Sequence, residues 1–171
     1  MKLIKKLTDK EILGTDGLST AKPRYTARAI LKNKDDKYAV MYSHKFKLHS
    51  LPGGGIDESE DILTALRREV LEETGCVCDD IKELGYVSEN RFHCDYTQIS
   101  YYYIVETSGA TQTTQMTEDE KSNNTETQWH TLEDMVSLIF SPVHDTNQRK
   151  FLQARDVAAI KEYLHLISEE G

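Results

Sequence analysis

The chain has 171 residues with a net charge of −8 at neutral pH and 38% hydrophobic content, enough for one soluble domain with a sizeable core. That charge opposes a broad electrostatic footprint on RNA or DNA, which rests on clustered Lys and Arg, so nucleic acid is not the expected partner. No run of 18 apolar residues exists to cross a membrane, the start MKLIKKLTDKEI is broken by charge too early for a signal-peptide core, and three cysteines make no disulfide framework. A cytoplasmic protein with a small-molecule partner is expected.

In chain order, Arg24 to Leu31 (RYTARAIL) and Tyr38 to Ser43 (YAVMYS) read as strands joined by the turn Asn33-Lys34-Asp35-Asp36. Phe46 to Leu51 is a third extended piece that leads into Pro52-Gly53-Gly54-Gly55. Ile62 to Thr74 is predicted as an amphipathic helix, because Ile62, Leu63, Leu66 and Val70 recur at three- and four-residue intervals. Gly75 then stands where a helix end favours a left-handed residue. Cys76 to Asn90 is strand-like with a break at Asp79-Asp80. Gln98 to Thr107 (QISYYYIVET) has the aromatic and β-branched content of a buried sheet centre.

Ser108 to Thr125 is polar, lacks proline and is too long for a hairpin turn, which marks a functional or mobile loop. Glu126 to His130 is a short strand, Leu132 to Phe140 a helix capped by Thr131, and Gln148 to Ile167 a helix with one face for the sheet. Strands interrupted by helices at both ends predict an α/β fold, an α/β/α sandwich around a mixed sheet, within a single domain over 1–171. Its core spans about 23–139 and its last helix about 148–167.

The chemistry concentrates between Gly54 and Cys76, GGIDESEDILTALRREVLEETGC. On the predicted helix Glu69, Glu72 and Glu73 stand at i, i+3 and i+4, so three carboxylates share a face with no lysine to neutralise them. A hard divalent cation resolves that repulsion, and Mg²⁺ or Mn²⁺ accepts a few carboxylates together with phosphate oxygens. A zinc site built from Cys76, Cys78, His93 and Cys94 is the weaker alternative, since Cys76-Val77-Cys78 lacks structural zinc spacing.

The identities and spacing of Gly54, Glu60, Arg68, Glu69, Glu72, Glu73 and Gly75 resemble the signature of the Nudix hydrolases, MutT-like proteins. Ser59 and Cys76 are mild departures, at positions where glycine and an aliphatic residue are usual, and neither removes a ligand. The resemblance covers roughly Pro23 to Ile139 and implies the Nudix fold. It also implies a metal-dependent pyrophosphohydrolase acting on a nucleoside triphosphate or another nucleoside diphosphate conjugate. Glu69, Glu72, Glu73 and the Gly53 carbonyl would hold the metal, while Arg68 and Glu60 orient the glutamates as an ion pair.

Glu69, Glu73 or an acidic residue of the long loop, Glu118 or Glu120, would serve as general base. The marks of ADP-ribose, coenzyme A and NADH subfamilies are missing from the sequence. A nucleotide sensor that binds without hydrolysis is the rival reading, although such proteins typically lose the box glutamates. Family resemblance also makes a homodimer an expectation. For substrate contacts, Arg24 and Arg28 fall on one side of the first strand and can clamp phosphate. Lys45, Lys47 and His49 are further cationic candidates, and Phe92, Tyr96 and Tyr102 are either stacking residues or core.

Overall fold

A computed structural model describes all residues from Met1 to Gly171. One eight-stranded mixed sheet organises it, with strands β1 (Leu3–Thr8), β2 (Arg24–Asn33), β3 (Tyr38–Ser43), β4 (Leu48–Ser50), β5 (Gly53–Gly55), β6 (Asp80–Arg91), β7 (Tyr96–Thr107) and β8 (Thr125–His130). The main order is β1-β6-β7-β2-β3-β4, with β5 paired to β2 and β8 to β3. β1 runs parallel to β6 and β2 parallel to β7, and the remaining pairs are antiparallel. The helices are α1 (Asp9–Leu13), α2 (Ile62–Thr74), α3 (Glu118–Ser122), α4 (Leu132–Phe140) and α5 (Asn147–Glu170).

The period-two alternation of β2 divides the core into two layers. Ala27, Ala29 and Leu31 pack with Ala65, Leu66 and Val70 of α2 and with Tyr103 and Val105 of β7. Ile30 points the other way, into a cluster with Met135 and Ile139 of α4 and Phe151, Ile160 and Tyr163 of α5. The expected α/β/α sandwich is therefore the observed one. Cys76 is fully buried in the α2 layer and takes the place of the usual aliphatic residue.

Helix α2 matches its predicted bounds. Asp61 caps it by accepting from Thr64 N at 2.8 Å, and Gly75 ends it at φ 72° with its N–H returning to the Leu71 carbonyl. The segment after α2 departs from the sequence expectation. Cys76 to Cys78 is not strand but a single bridge to Ala110, because the Gly75 carbonyl accepts from Thr111 N (2.8 Å) and the long loop docks there. The strand begins only at Asp80, where the break was expected.

The N-terminal β1 and α1 lie outside the predicted core, yet β1 forms the sheet edge and Leu7 enters the α5 layer. LIKKLT alternates too weakly to announce a strand, and its partner β6 is some eighty residues away in sequence. No helix is long and apolar enough to cross a membrane.

Candidate active site

Strand β5 is the glycine turn zipped onto β2, with Arg28 opposite Gly53, Ala27 opposite Gly54 and Thr26 opposite Gly55. This pairing brings the turn under helix α2. A Cβ on Gly54 would lie 2.5 Å from the carboxyl carbon of Glu69, so only glycine lets that carboxylate rest on the strand. Gly54→Ala is expected to displace Glu69 and lower turnover at least tenfold while α2 stays folded; unchanged kinetics by a steady-state assay would remove Gly54 from the site.

Glu73, 6% exposed, accepts from Gly53 N at 2.8 Å. Burial pushes its carboxyl well above the ordinary range; the Gly53 N–H opposes this, Glu69 and Glu120 add to it, and Arg28 works against it. Glu69 is also raised, chiefly by burial, with Arg68 opposing and Glu72 and Glu120 reinforcing. Arg68 is the hub of the other carboxylates. Its guanidinium donates to both oxygens of Glu60, to Glu69 at 2.8 Å, to Glu72 at 3.4 Å and to the Gly55 carbonyl at 3.0 Å. Glu60 is consequently held below its usual range, first by Arg68 and then by the Asp57 N–H.

Helical spacing puts Glu69, Glu72 and Glu73 on one face as expected, but the three carboxylates are not drawn together at ligand distance. No three His, Cys, Asp or Glu side chains form a ready metal cluster. Arg68 pulls Glu69 and Glu72 to one side, and the Gly53 N–H takes Glu73 to the other. The donors themselves, four carboxylates including Glu120 and the Gly53 carbonyl, are all hard oxygens, and their mutual repulsion is what a divalent cation relieves. The residues fit such a cation. They do not form a zinc site, because Cys76 and Cys78 are buried in the core while Cys94 is exposed across the sheet.

The acidic loop is resolved into a helix with two roles. Glu120 closes a capping box, accepting from Thr117 N while the Thr117 hydroxyl accepts from Glu120 N, and its charge reaches both Glu69 and Glu73. Glu118 faces solvent and pairs with Lys121. The loop is anchored to the end of α2, where Gln115 N donates to the Glu72 carbonyl and Thr111 and Gln112 N–H groups to that of Gly75. It thereby satisfies carbonyls that a helix end leaves open.

Arg24 and Arg28 line one cleft of about 540 Å³ on the α5 side of the sheet, as their alternation predicts. Arg28 is partly spent on the turn, since Nη1 donates to the carbonyls of Leu51 (3.3 Å) and Gly53 (3.4 Å), while its Nε has no partner. Burial and then the nearby Arg155 lower its affinity for a proton. Lys45, Lys47 and His49 are not among the cleft-lining residues, and His49 stacks on Tyr42. Tyr102 is core, Phe92 is exposed over Gly17, and Tyr96 lines the cleft.

Sequence reasoning missed the cleft's remaining wall: Arg91, His93, Gln98, Gln148 and Arg155. The signal was available as polar residues in apolar places. Arg155-Asp156 interrupts the inward stripe of the last helix, and Glu89, Arg91, Gln98 and Ser100 repeat every second residue on two strands.

Mixed sheet, glycine turn and glutamate-bearing helix together define a hydrolase of phosphoric anhydrides. The sequence matches the NUDIX domain model over residues 22–154. It is 31% identical over 117 residues to an RNA pyrophosphohydrolase of Bartonella bacilliformis, covering 58% of this chain and 67% of that protein. The fold resembles a Nudix hydrolase from Nitrosomonas europaea, with a TM-score of 0.60 at 18% identity over 84% of this chain and 90% of the other. It also resembles an ADP compounds hydrolase, with a TM-score of 0.62 at 19% identity over 89% and 77% of the two chains. The chain belongs to the Nudix family.

Proposed function

We propose that the protein is a divalent-metal-dependent pyrophosphohydrolase acting on a nucleoside triphosphate or on a nucleoside diphosphate linked to another group. The observation that carries this reading is the buried Glu73, which accepts from Gly53 N on the glycine strand that pairs with Arg28 and has Glu69 and Glu120 near enough to disfavour its charge. Glu69, Glu72, Glu73 and the Gly53 carbonyl would hold Mg²⁺ or Mn²⁺. Such a cation, when bound, supplies neutralisation of the charge on the anhydride oxygens.

The chain's own residues do the rest. Arg24 and Arg28 present guanidinium donors to the phosphates, and the Gly53–Gly55 strand brings backbone against the anhydride without a side chain in the way. Glu120, half-buried and with one carboxylate oxygen outside the capping box, accepts the proton of the attacking water. Arg68 and Glu60 keep the glutamates oriented and do not touch the substrate. Retention of all the box glutamates supports hydrolysis over a binding-only sensor.

A panel of nucleotides and nucleotide conjugates assayed with Mg²⁺ and Mn²⁺, with phosphatase coupling to count released phosphate, tests the reading. Turnover should vanish in chelator and return with either cation, and Mn²⁺ should enhance water proton relaxation when protein is added. Chelator-resistant turnover would remove the metal, and no turnover across the panel would remove the enzyme assignment. In the same assay Arg68→Lys, which loses the planar fork shared by Glu60 and Glu69, should cost about 10–100-fold in metal affinity; wild-type affinity would show that Arg68 merely braces the loop.

A further inference from the structure

His93 reaches the cleft from the short 3₁₀ turn Phe92–Cys94 between β6 and β7, and a buried carboxylate holds it there. Asp9, 1% exposed at the start of α1, accepts from the His93 backbone N–H through Oδ2 at 2.7 Å and meets ring Nδ1 through Oδ1 at 2.9 Å. The imidazole also packs against the Phe151 ring, with 5.9 Å between centroids. One neutral oxygen would satisfy the backbone N–H; the second oxygen of Asp9 fixes the ring. Asp9 precedes the family-matching residues 22–154, so the N-terminal segment supplies a brace to the cleft.

The brace decides which ring nitrogen carries the proton. An ionised carboxylate only accepts, so Nδ1 is the donor and, in the uncharged ring, Nε2 is left as an acceptor. Donors dominate the surrounding wall. Arg24, Arg28, Arg91 and Arg155 carry N–H groups, and the Gln98 carbonyl is already taken by the Tyr96 hydroxyl. Position along the sheet matters as well. Arg28 lies opposite Gly53 and Arg24 opposite Gln98, four residues or about 13 Å farther along β2, and His93 follows Arg91, which pairs with Tyr96 beyond Gln98. An anhydride held at the glycine turn therefore directs the far end of its nucleotide, the base rather than the sugar, toward His93.

We propose that His93 is a specificity-determining residue and Asp9 its positioning residue. Nε2 of His93 accepts from an exocyclic amino group on the base, and the site rejects bases that present a carbonyl or nothing in its place, because the nitrogen is then left unpaired. The inference rests on the pyrophosphohydrolase reading and deepens it by naming the group that the substrate carries.

Calorimetric titration of the metal-free protein at about pH 8, above the ordinary imidazole range, reads the preference without turnover. AMP with IMP and CMP with UMP exchange an amino group for a carbonyl, and GMP with IMP removes one. In at least one pair the amino-bearing nucleotide should bind about tenfold more tightly. Asp9→Asn should bring that ratio to one or below: its carbonyl keeps the His93 N–H, its amide N–H faces Nδ1, and the ring proton moves to Nε2. A merely structural Asp9 would leave the ratio untouched. Should Asp9→Asn melt early, His93→Phe, which keeps a ring against Phe151, reads the same loss. Equal affinities in every wild-type pair, or a ratio that survives both variants, overturns the proposal.

The matching triphosphates with Mg²⁺ then separate this inference from the reading beneath it. The same preference should appear in kcat/KM and be lost in Asp9→Asn. Turnover without the preference overturns the role of His93 and leaves the pyrophosphohydrolase standing. A binding preference with no turnover on any anhydride overturns the pyrophosphohydrolase, and with it the claim that the preference selects a substrate.

Discussion

Replacing Glu73 by glutamine is expected to lower kcat by at least about a hundredfold while leaving the melting temperature unchanged or slightly raised. The two halves of that result have different causes. Glutamine keeps an oxygen to accept from Gly53 N, so the contact between α2 and the glycine strand survives. It also removes a charge that burial opposes and that Glu69 and Glu120 repel, which relieves the folded state. What is lost is the negative charge needed to hold a cation. A variant that melts as the wild type does and turns over at the same rate would show that Glu73 only staples the helix to the strand.

Asp156→Ala should act in the opposite sense, through stability. Asp156 is 1% exposed and accepts from Leu51 N at 2.9 Å, from the Tyr102 hydroxyl at 2.6 Å and from Arg155 Nε at 3.2 Å. Burial first, and Asp156 next, hold the Tyr102 phenol well above its usual range, so tyrosine is the donor. Truncation orphans a backbone N–H and a hydroxyl and leaves Arg155 and Arg28 with less compensation. The expected cost is about 3–5 kcal/mol, roughly 10 °C in melting temperature for a chain of this length.

Activity should fall with it, because Leu51 is two residues from Gly53 and the loosened turn carries the glycine strand with it. A melting curve within a degree of the wild type would show that the network is redundant. The milder Asp156→Asn, which keeps an acceptor, should fall between the two.

These two residues differ in how visible they were beforehand. Glu73 could be picked from the sequence because its neighbours at fixed offsets, Glu69, Glu72, Arg68 and the flanking glycines, only make sense together on one helical turn. Asp156 sits in the last helix among apolar residues, and nothing local says that its partners are a turn residue over a hundred positions earlier and a tyrosine in the sheet centre. The same holds for Glu120. Its sequence neighbourhood offered Glu118 equally, and only the capping box of α3 and the docking of the loop on α2 turn one toward the glutamates and the other to solvent.

Arg24 and Arg28 were legible as a pair through strand alternation. Their share in a cleft with Arg91 and Arg155 was not, since that requires β6, β7 and α5 to converge.

The sequence by itself determined the local items: the bounds of α2, the αL stop at Gly75, the strand pair Arg24 to Leu31 and Tyr38 to Ser43, the α/β sandwich and the family. Each of these follows from periodicity, capping or spacing within a few residues, where backbone geometry leaves little choice. Tertiary structure alone decided the partnerships: Arg68 holding Glu69 and Glu72 apart from Glu73, Asp156 bracing the glycine turn, the N-terminal strand closing the sheet edge, and the gathering of Arg24, Arg28, Arg91 and Arg155 in one cleft. Those depend on long-range pairings, and a polar side chain's worth is set by which distant groups burial brings against it.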